Sequence, residues 1–189
     1  MARAKAKGRA RTSGRRTGAR KDAIALLKAD HRQVEQWFGQ FEKARDDQRK
    51  LQLATSICNA LKVHATIEEE VFYPAFIEAT EDKDLHHEAI VEHDGAKKLI
   101  AEIEASGPED DFYDAKVTVL SEMIKHHVKE EEQPGGMFAE ARKSDMDLAA
   151  LGEQLAARKA ELEGGMGARS VSPVARRGRN GGVRVEGRH

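Results

Sequence analysis

Two short runs repeat a pairing that suits metal binding. HATIEEEVFYP (64–74) sets His64 four residues before Glu68, and HHVKEEE (126–132) sets His127 four residues before Glu131. On a helix, a spacing of four stacks both side chains on one face, one turn apart. Two further histidines precede these pairs at matching distances. His31 lies 33 residues before His64, and His93 lies 34 before His127. The chain therefore echoes itself, KADH against IVEH and HATIEEE against HVKEEE, at an offset of 62 or 63 residues. A lone histidine on an apolar face is most often a hydrogen-bonded core residue. Four in phase, with two HxxxE pairs, point instead to a cluster of His31, His64, Glu68, His93, His127 and Glu131. Left unpaired in a core, such groups would cost several kcal/mol each, and di- or trivalent cations are the simplest compensation.

The donor types narrow the metal. Nitrogen and oxygen without thiolate fit iron or manganese, with zinc as an alternative. Six donors exceed the four of one structural zinc. Two ions sharing Glu68 and Glu131 as bridging carboxylates fit better, with positions left for an oxo or hydroxo bridge and a small ligand.

Four periodic segments must position these residues. Ile24, Leu27, His31, Val34, Phe38 and Phe41 step by threes and fours, as one helix face requires. Ile57, Leu61, His64, Glu68, Val71 and Ala75 do the same, as do His86, Ala89, His93, Ala96, Ile100 and Ile103, and then Val117, Leu120, Ile124, His127 and Glu131. ARDDQRK (44–50) reads as a charged connection, and Thr80-Glu81-Asp82 as the capping start of the third helix. Gly107 ends that helix, and Pro108 reads as lying near the first turn of the fourth. Pro134-Gly135-Gly136 stops the fourth. DLAALGEQLAARKAELE (147–163) reads as an extra, partly exposed C-terminal helix. Short connections make sequential helices antiparallel neighbours, so the expected fold is all-α: an up-down antiparallel four-helix bundle over residues 22–163.

Helical phase sorts the competing residues. His126 also has a glutamate at +4, Glu130, but it is rotated by about 100° from the stripe that His127 continues. It reads as a surface residue or a partner of the site, and His87 reads as solvated. Glu69, Glu70, Glu130 and Glu132 read as a flanking face, with Glu69 and Glu130 as candidate partners of the ligands. Trp37, Phe38, Phe41, Phe72, Tyr73 and Phe76 are core candidates, and the Tyr73 hydroxyl is a candidate donor to a bound ligand.

Composition sets the remaining bounds. The formal net charge of −1 hides a division: residues 1–21 carry nine Lys/Arg and no acid, while 22–167 sum to about −15. The stretches 1–21 and 164–189 lack large apolar groups and read as disordered basic tails. They are expected to touch nucleic acid at most weakly and nonspecifically, through phosphate neutralisation. The single cysteine, Cys58, allows no intrachain disulfide and reads as a small buried hydrophobe. No window resembles a membrane span, and no apolar signal core follows the basic start. The expected setting is a cytoplasmic monomer.

LLKADH (26–31), HATIEEEVFYP (64–74), EH (92–93) and HHVKEEE (126–132) together resemble the hemerythrin family, in its bacterial HHE cation-binding branch. The resemblance covers about residues 22–163. It implies a non-haem centre of two iron ions that binds or senses dioxygen, nitric oxide or peroxide, with the six residues above as ligands. Oxygen-carrying members use a fifth histidine four residues before the third-helix ligand, and here that position is Ala89. His86, one heptad before His93, is the candidate replacement; otherwise a coordination position is open to water. That departure favours redox chemistry or sensing over oxygen carriage. Decomposition of hydrogen peroxide and iron storage are the alternatives. The family usually follows the fourth-helix motif with a Phe-Pro pair. QPGGMFAEA stands there instead, which predicts a helix ending just past Glu131 and a loosened end to the site.

Overall fold

The computed structural model describes residues 22–169 of the chain, with side chains described to residue 165. The basic stretch 1–21 and the residues from 170 onward lie outside the described residues, whereas 164–169, expected in the disordered C-terminal tail, continue α7 as helix. The helices are α1 (Ala23–Phe41), α2 (Asp47–Ile67), α3 (Tyr73–Thr80), α4 (Lys83–Glu104), α5 (Tyr113–Glu132), α6 (Met137–Lys143) and α7 (Leu148–Arg169). A π-helical turn, Glu68–Phe72, joins α2 to α3 without a break.

Aspartates start the main helices. Asp22, Asp46 and Asp82 accept from the backbone N–H groups of Ala25, Arg49 and Leu85 at 2.7, 2.9 and 3.2 Å. Each satisfies a donor that the first helical turn leaves unpaired. The α3–α4 corner is tight because Glu81 takes a left-handed conformation, φ 59°. The α4–α5 connection is longer than expected. Pro108 sits in a turn, and Asp110 holds the approach to α5 by accepting from Phe112 N at 2.9 Å.

The bundle closes as a ring in which α1 packs on α2 and α5, and α4 packs on the same two. Helix α7 lies across α1 and α2 outside the ring, and α6 covers the end formed by α3 and α5. Apolar residues form two clusters. Leu27, Ile67, Phe72, Phe76, Phe138 and Leu155 belong to one. Val34, Phe38, Ile57, Leu61, Ile100 and Leu120 belong to the other. Leu27 and Val34 flank His31 on α1, so the polar residues form a waist between the two clusters. None of the described helices is long and apolar enough to cross a membrane.

Two expectations are corrected. Val71 and Ala75 are only half-buried, and Phe72, Tyr73 and Phe76 are fully buried in their place. The cause is the π turn. Tyr73 N–H bonds to Glu68 O, five residues back, so one extra residue enters the turn and rotates everything after it. Pro74, which has no N–H to give, sits at the start of α3 where that ladder changes. The second correction concerns the end of α5. It stops at Glu132, but α6 then folds back and buries Met137, Phe138 and Ala141. Gly135, at φ 84°, makes the reversal. The site is sealed at that end, not loosened.

Candidate metal centre

All six residues singled out by spacing are buried and converge. His31, His64, Glu68, His93, His127 and Glu131 are each 6% exposed or less. They form two groups with donor atoms close enough for one ion each: His31, His64, Glu68 and Glu131, and then Glu68, His93 and His127. Glu68 belongs to both, as a bridging carboxylate must; Glu131, expected to be shared as well, belongs to the first group alone. Its Oε2 lies 3.2 Å from His64 Nε2 and 3.4 Å from His93 Nε2. Glu131 Oε2 lies 3.5 Å from His31 Nε2 and 3.6 Å from His127 Nε2. The histidine pairs also close on each other, His31 with His64 at 2.9 Å and His93 with His127 at 3.3 Å, Nε2 to Nε2.

The residues fit a cation. Both oxygens of Glu68, and Oε2 of Glu131, have no hydrogen-bond donor despite complete burial. Buried acceptors are almost always paired, so oxygens left bare and aimed at one space mark a place for positive charge. Nitrogen and oxygen donors suit iron, manganese or zinc.

The electrostatics show the same crowding. Glu131 is pushed up to about 8 by burial and by the neighbouring Glu68 charge. Burial alone would lower His64, but Glu68 and Asp30 hold it up at about 10. His31 falls to about 4, chiefly through burial. Glu68 is held well below the usual carboxylate range by His64 and His93, against the effect of burial.

A second ring orients the imidazoles. Nδ1 of His31, His93 and His127 meets Glu132, Glu69 and Glu92 at 2.9, 2.9 and 2.7 Å. His64 Nδ1 faces Asp30 at 3.7 Å, too far for a hydrogen bond. With the proton on Nδ1, the Nε2 atoms of His31, His93 and His127 turn their lone pairs inward, the arrangement metal-binding histidines use. Cations hold these carboxylates in turn. Arg32 grips Glu132 through two bonds of 2.8 and 2.7 Å, Lys97 holds Glu69 at 2.6 Å, and Lys159 from α7 holds Asp30 at 2.5 Å.

Of these partners, phase identified only Glu69. Glu132 is not a plain flanking residue, and Glu130 reaches only the outer His126, at 3.6 Å. Asp30, Glu92 and Glu132 each stand one residue in sequence from one of the six buried donors. The DH, EH and EE steps were the available signal, because adjacent helical positions lie about 100° apart and a long side chain can reach round to a neighbouring helix.

The remaining candidates also have definite places. His127 is buried, whereas the His126 side chain is 60% exposed. His86 does not join either group; its ring meets Tyr73 edge-on at 5.7 Å. Tyr73, fully buried, donates to Glu131 Oε1 at 3.3 Å and stands 3.3 Å from His93 Nε2. Burial and both carboxylates raise its hydroxyl well above the ordinary range, so it keeps its proton. Phe138 stacks on His31, with centroids 5.8 Å apart and planes 10° apart. Beside the four imidazoles, Val34, Leu61, Ala65, Ala96, Ile100, Ile124 and Val128 line a cavity of about 20 Å³, room for one water-sized molecule.

Known proteins share this frame. Residues 22–134 match the hemerythrin HHE cation binding domain, a span that includes α1 to α5 and all six buried donors. A hemerythrin HHE cation binding domain-containing protein from Mycobacterium kansasii superposes with a TM-score of 0.66 at 23% identity, covering 79% of this chain and 91% of that one. That likeness concerns the fold. A DNA nickase from Nostoc sp. (strain PCC 7120 / SAG 25.82 / UTEX 2576) is 28% identical over 120 residues, 62% of this chain. This chain spans about a third of that relative's length, 32%. By the match over its bundle, the chain belongs to the hemerythrin HHE cation-binding family.

Proposed function

We propose that the chain is a non-haem di-iron protein whose centre binds or senses dioxygen, nitric oxide or peroxide. His31, His64, Glu68 and Glu131 would hold one iron, and His93 and His127 the other, with Glu68 shared. The observation that carries this is the pair of buried carboxylates with bare oxygens among four inward Nε2 atoms, next to an apolar cavity of one-molecule size. Iron bound there would supply reversible electron exchange with a small ligand. The chain's own residues do the rest. Glu132, Glu69 and Glu92 fix the imidazole tautomers, and Val34, Leu61 and Ile124 limit entry of water. Tyr73 keeps a proton at its hydroxyl beside Glu131, where it can donate to a bound ligand. Anaerobic iron-loaded protein, titrated separately with nitric oxide, oxygen and peroxide, should change its visible spectrum on at least one addition. A spectrum indifferent to all three overturns the proposal.

Peroxide decomposition is the second reading. Ala89 offers no ligand where oxygen carriers of the family place a fifth imidazole, and Tyr73 supplies a proton donor inside the site. Oxygen evolved catalytically from hydrogen peroxide by the iron-loaded chain, and not by the metal-free chain, selects it. Weak, salt-sensitive contact of the basic ends with nucleic acid is also part of the proposal, supported by their charge and by the activity for which the Nostoc relative is named.

A further inference from the structure

A second group of donors lies on the outside of the bundle. His126 precedes His127 and points about 100° away round α5, so His126 and Glu130 repeat the His127–Glu131 spacing one residue earlier, facing outward. His126 Nε2 stands 3.3 Å from Glu92 Oε1, on α4, and 3.6 Å from Glu130 Oε1. One donor atom from each of the three falls within 4.8 Å of the others. Glu92 accepts with its other oxygen from His127 Nδ1 at 2.7 Å, so a single carboxylate touches the outer and the inner histidine.

Behind this group runs a narrow cavity between α4 and α5. Glu92 and Glu130 line it together with the buried His127 and Glu131, with Leu85, Glu88, Ala89 and Met137 completing the wall. Glu131 is 3% exposed, and its Oε2 has no hydrogen-bond donor. The methyl of Ala89 leaves this gap, which a bulkier side chain would fill.

We propose that Glu92, His126 and Glu130 form an outer site for a divalent cation, and that cations reach the buried centre through it, past Ala89. The inference rests on the reading of the buried centre as a metal site. One imidazole and two carboxylates suit ferrous iron, manganese or zinc. Exposure of His126 makes the outer site accessible and weaker than the buried one. An ion held there stands beside Glu92 and Glu130, and Glu131 lines the same cavity.

The test uses the full chain, stripped of metal and kept anaerobic, with ferrous ion as the probe. Equilibrium binding gives stoichiometry, and stopped-flow mixing gives the rate of filling. The unaltered chain should take two ferrous ions tightly and one more weakly. His126→Ala should lose the weak ion, keep the two tight ones, and fill them more slowly, because an ion no longer dwells beside the cavity. Ala89→Leu should keep the weak ion and also fill slowly; circular dichroism checks its fold, and His126→Ala, altered at an exposed position, decides the matter if it unfolds. Unchanged stoichiometry in His126→Ala overturns the outer site, and an unchanged filling rate overturns the route. A chain that binds no tight ferrous ion overturns the buried centre itself, a distinguishable result.

Discussion

His31 Nε2 and His64 Nε2 approach to 2.9 Å across the bundle, from adjacent helices. Two protonated nitrogens could not sit so close. The opposed shifts of the two rings, His31 to about 4 and His64 to about 10, assign one proton between them, donated by His64. In the metal-free chain that proton stands where a cation would. Iron loading should therefore release protons, measurable in weakly buffered solution near pH 7. Loading without proton release would remove His64 from the ligand set.

Removing a donor should remove metal. His64→Ala and Glu68→Ala should each lose at least one ion, Glu68 because it is common to both groups. His127→Ala should also lose tightly bound metal, whereas His126→Ala should keep both tight ions. Metal analysis after dialysis against a chelator reads all four variants. Two ions retained by Glu68→Ala would refute the bridging role.

Phe138, four residues beyond the span that matches the family domain, should matter to the stability of the bundle. It is 2% exposed, stacks on His31 and meets Phe72 edge-on at 5.7 Å. Phe138→Ala should destabilise the chain by about 3–5 kcal/mol, the usual range for a buried phenylalanine. Denaturant melts of metal-free protein measure this. A loss below about 1 kcal/mol would show that α6 does not seal the bundle.

The pH dependence of stability should reverse with metal. Folding raises Glu131 from its ordinary 4.5 to about 8, so its contribution falls as pH rises between those values. His64, raised from 6.5 to about 10, acts in the same direction above 6.5. His31, lowered from 6.5 to about 4, acts oppositely, losing stability as pH falls through that window. Between pH 6.5 and 8 the first two act together, and the metal-free chain should melt lower at 8. Iron competes with those protons, so the iron-loaded chain should gain over the same interval. Thermal melts of both forms at the two pH values should show a gap that widens with pH; a narrowing gap contradicts these assignments.

Much of this site was legible because one helical period ran through it. Ile24 to Phe41 on α1 carried His31 inward without interruption, and all six of those positions are buried. The same phase separated His127 from His126. It failed after Glu68, because a π turn changes the period without altering the residue types that signal a helix. Only Tyr73, an aromatic five residues after Glu68 and so out of step with it, betrays it. The partners Asp30, Glu92 and Glu132 were hidden for another reason. Each belongs to the flank of its own helix and meets its histidine on a neighbouring one, and that pairing depends on how the helices are rotated against each other. Helix α6 escaped notice because seven residues are too few for a periodic pattern to stand out.

X-ray absorption and metal analysis of the iron-loaded chain test the di-iron assignment itself. Two irons per chain are expected, each bound only by nitrogen and oxygen, with an iron–iron vector of about 3.5–4 Å or shorter, the separation typical of two-metal sites. A single iron per chain, or two irons with no short vector between them, would contradict it.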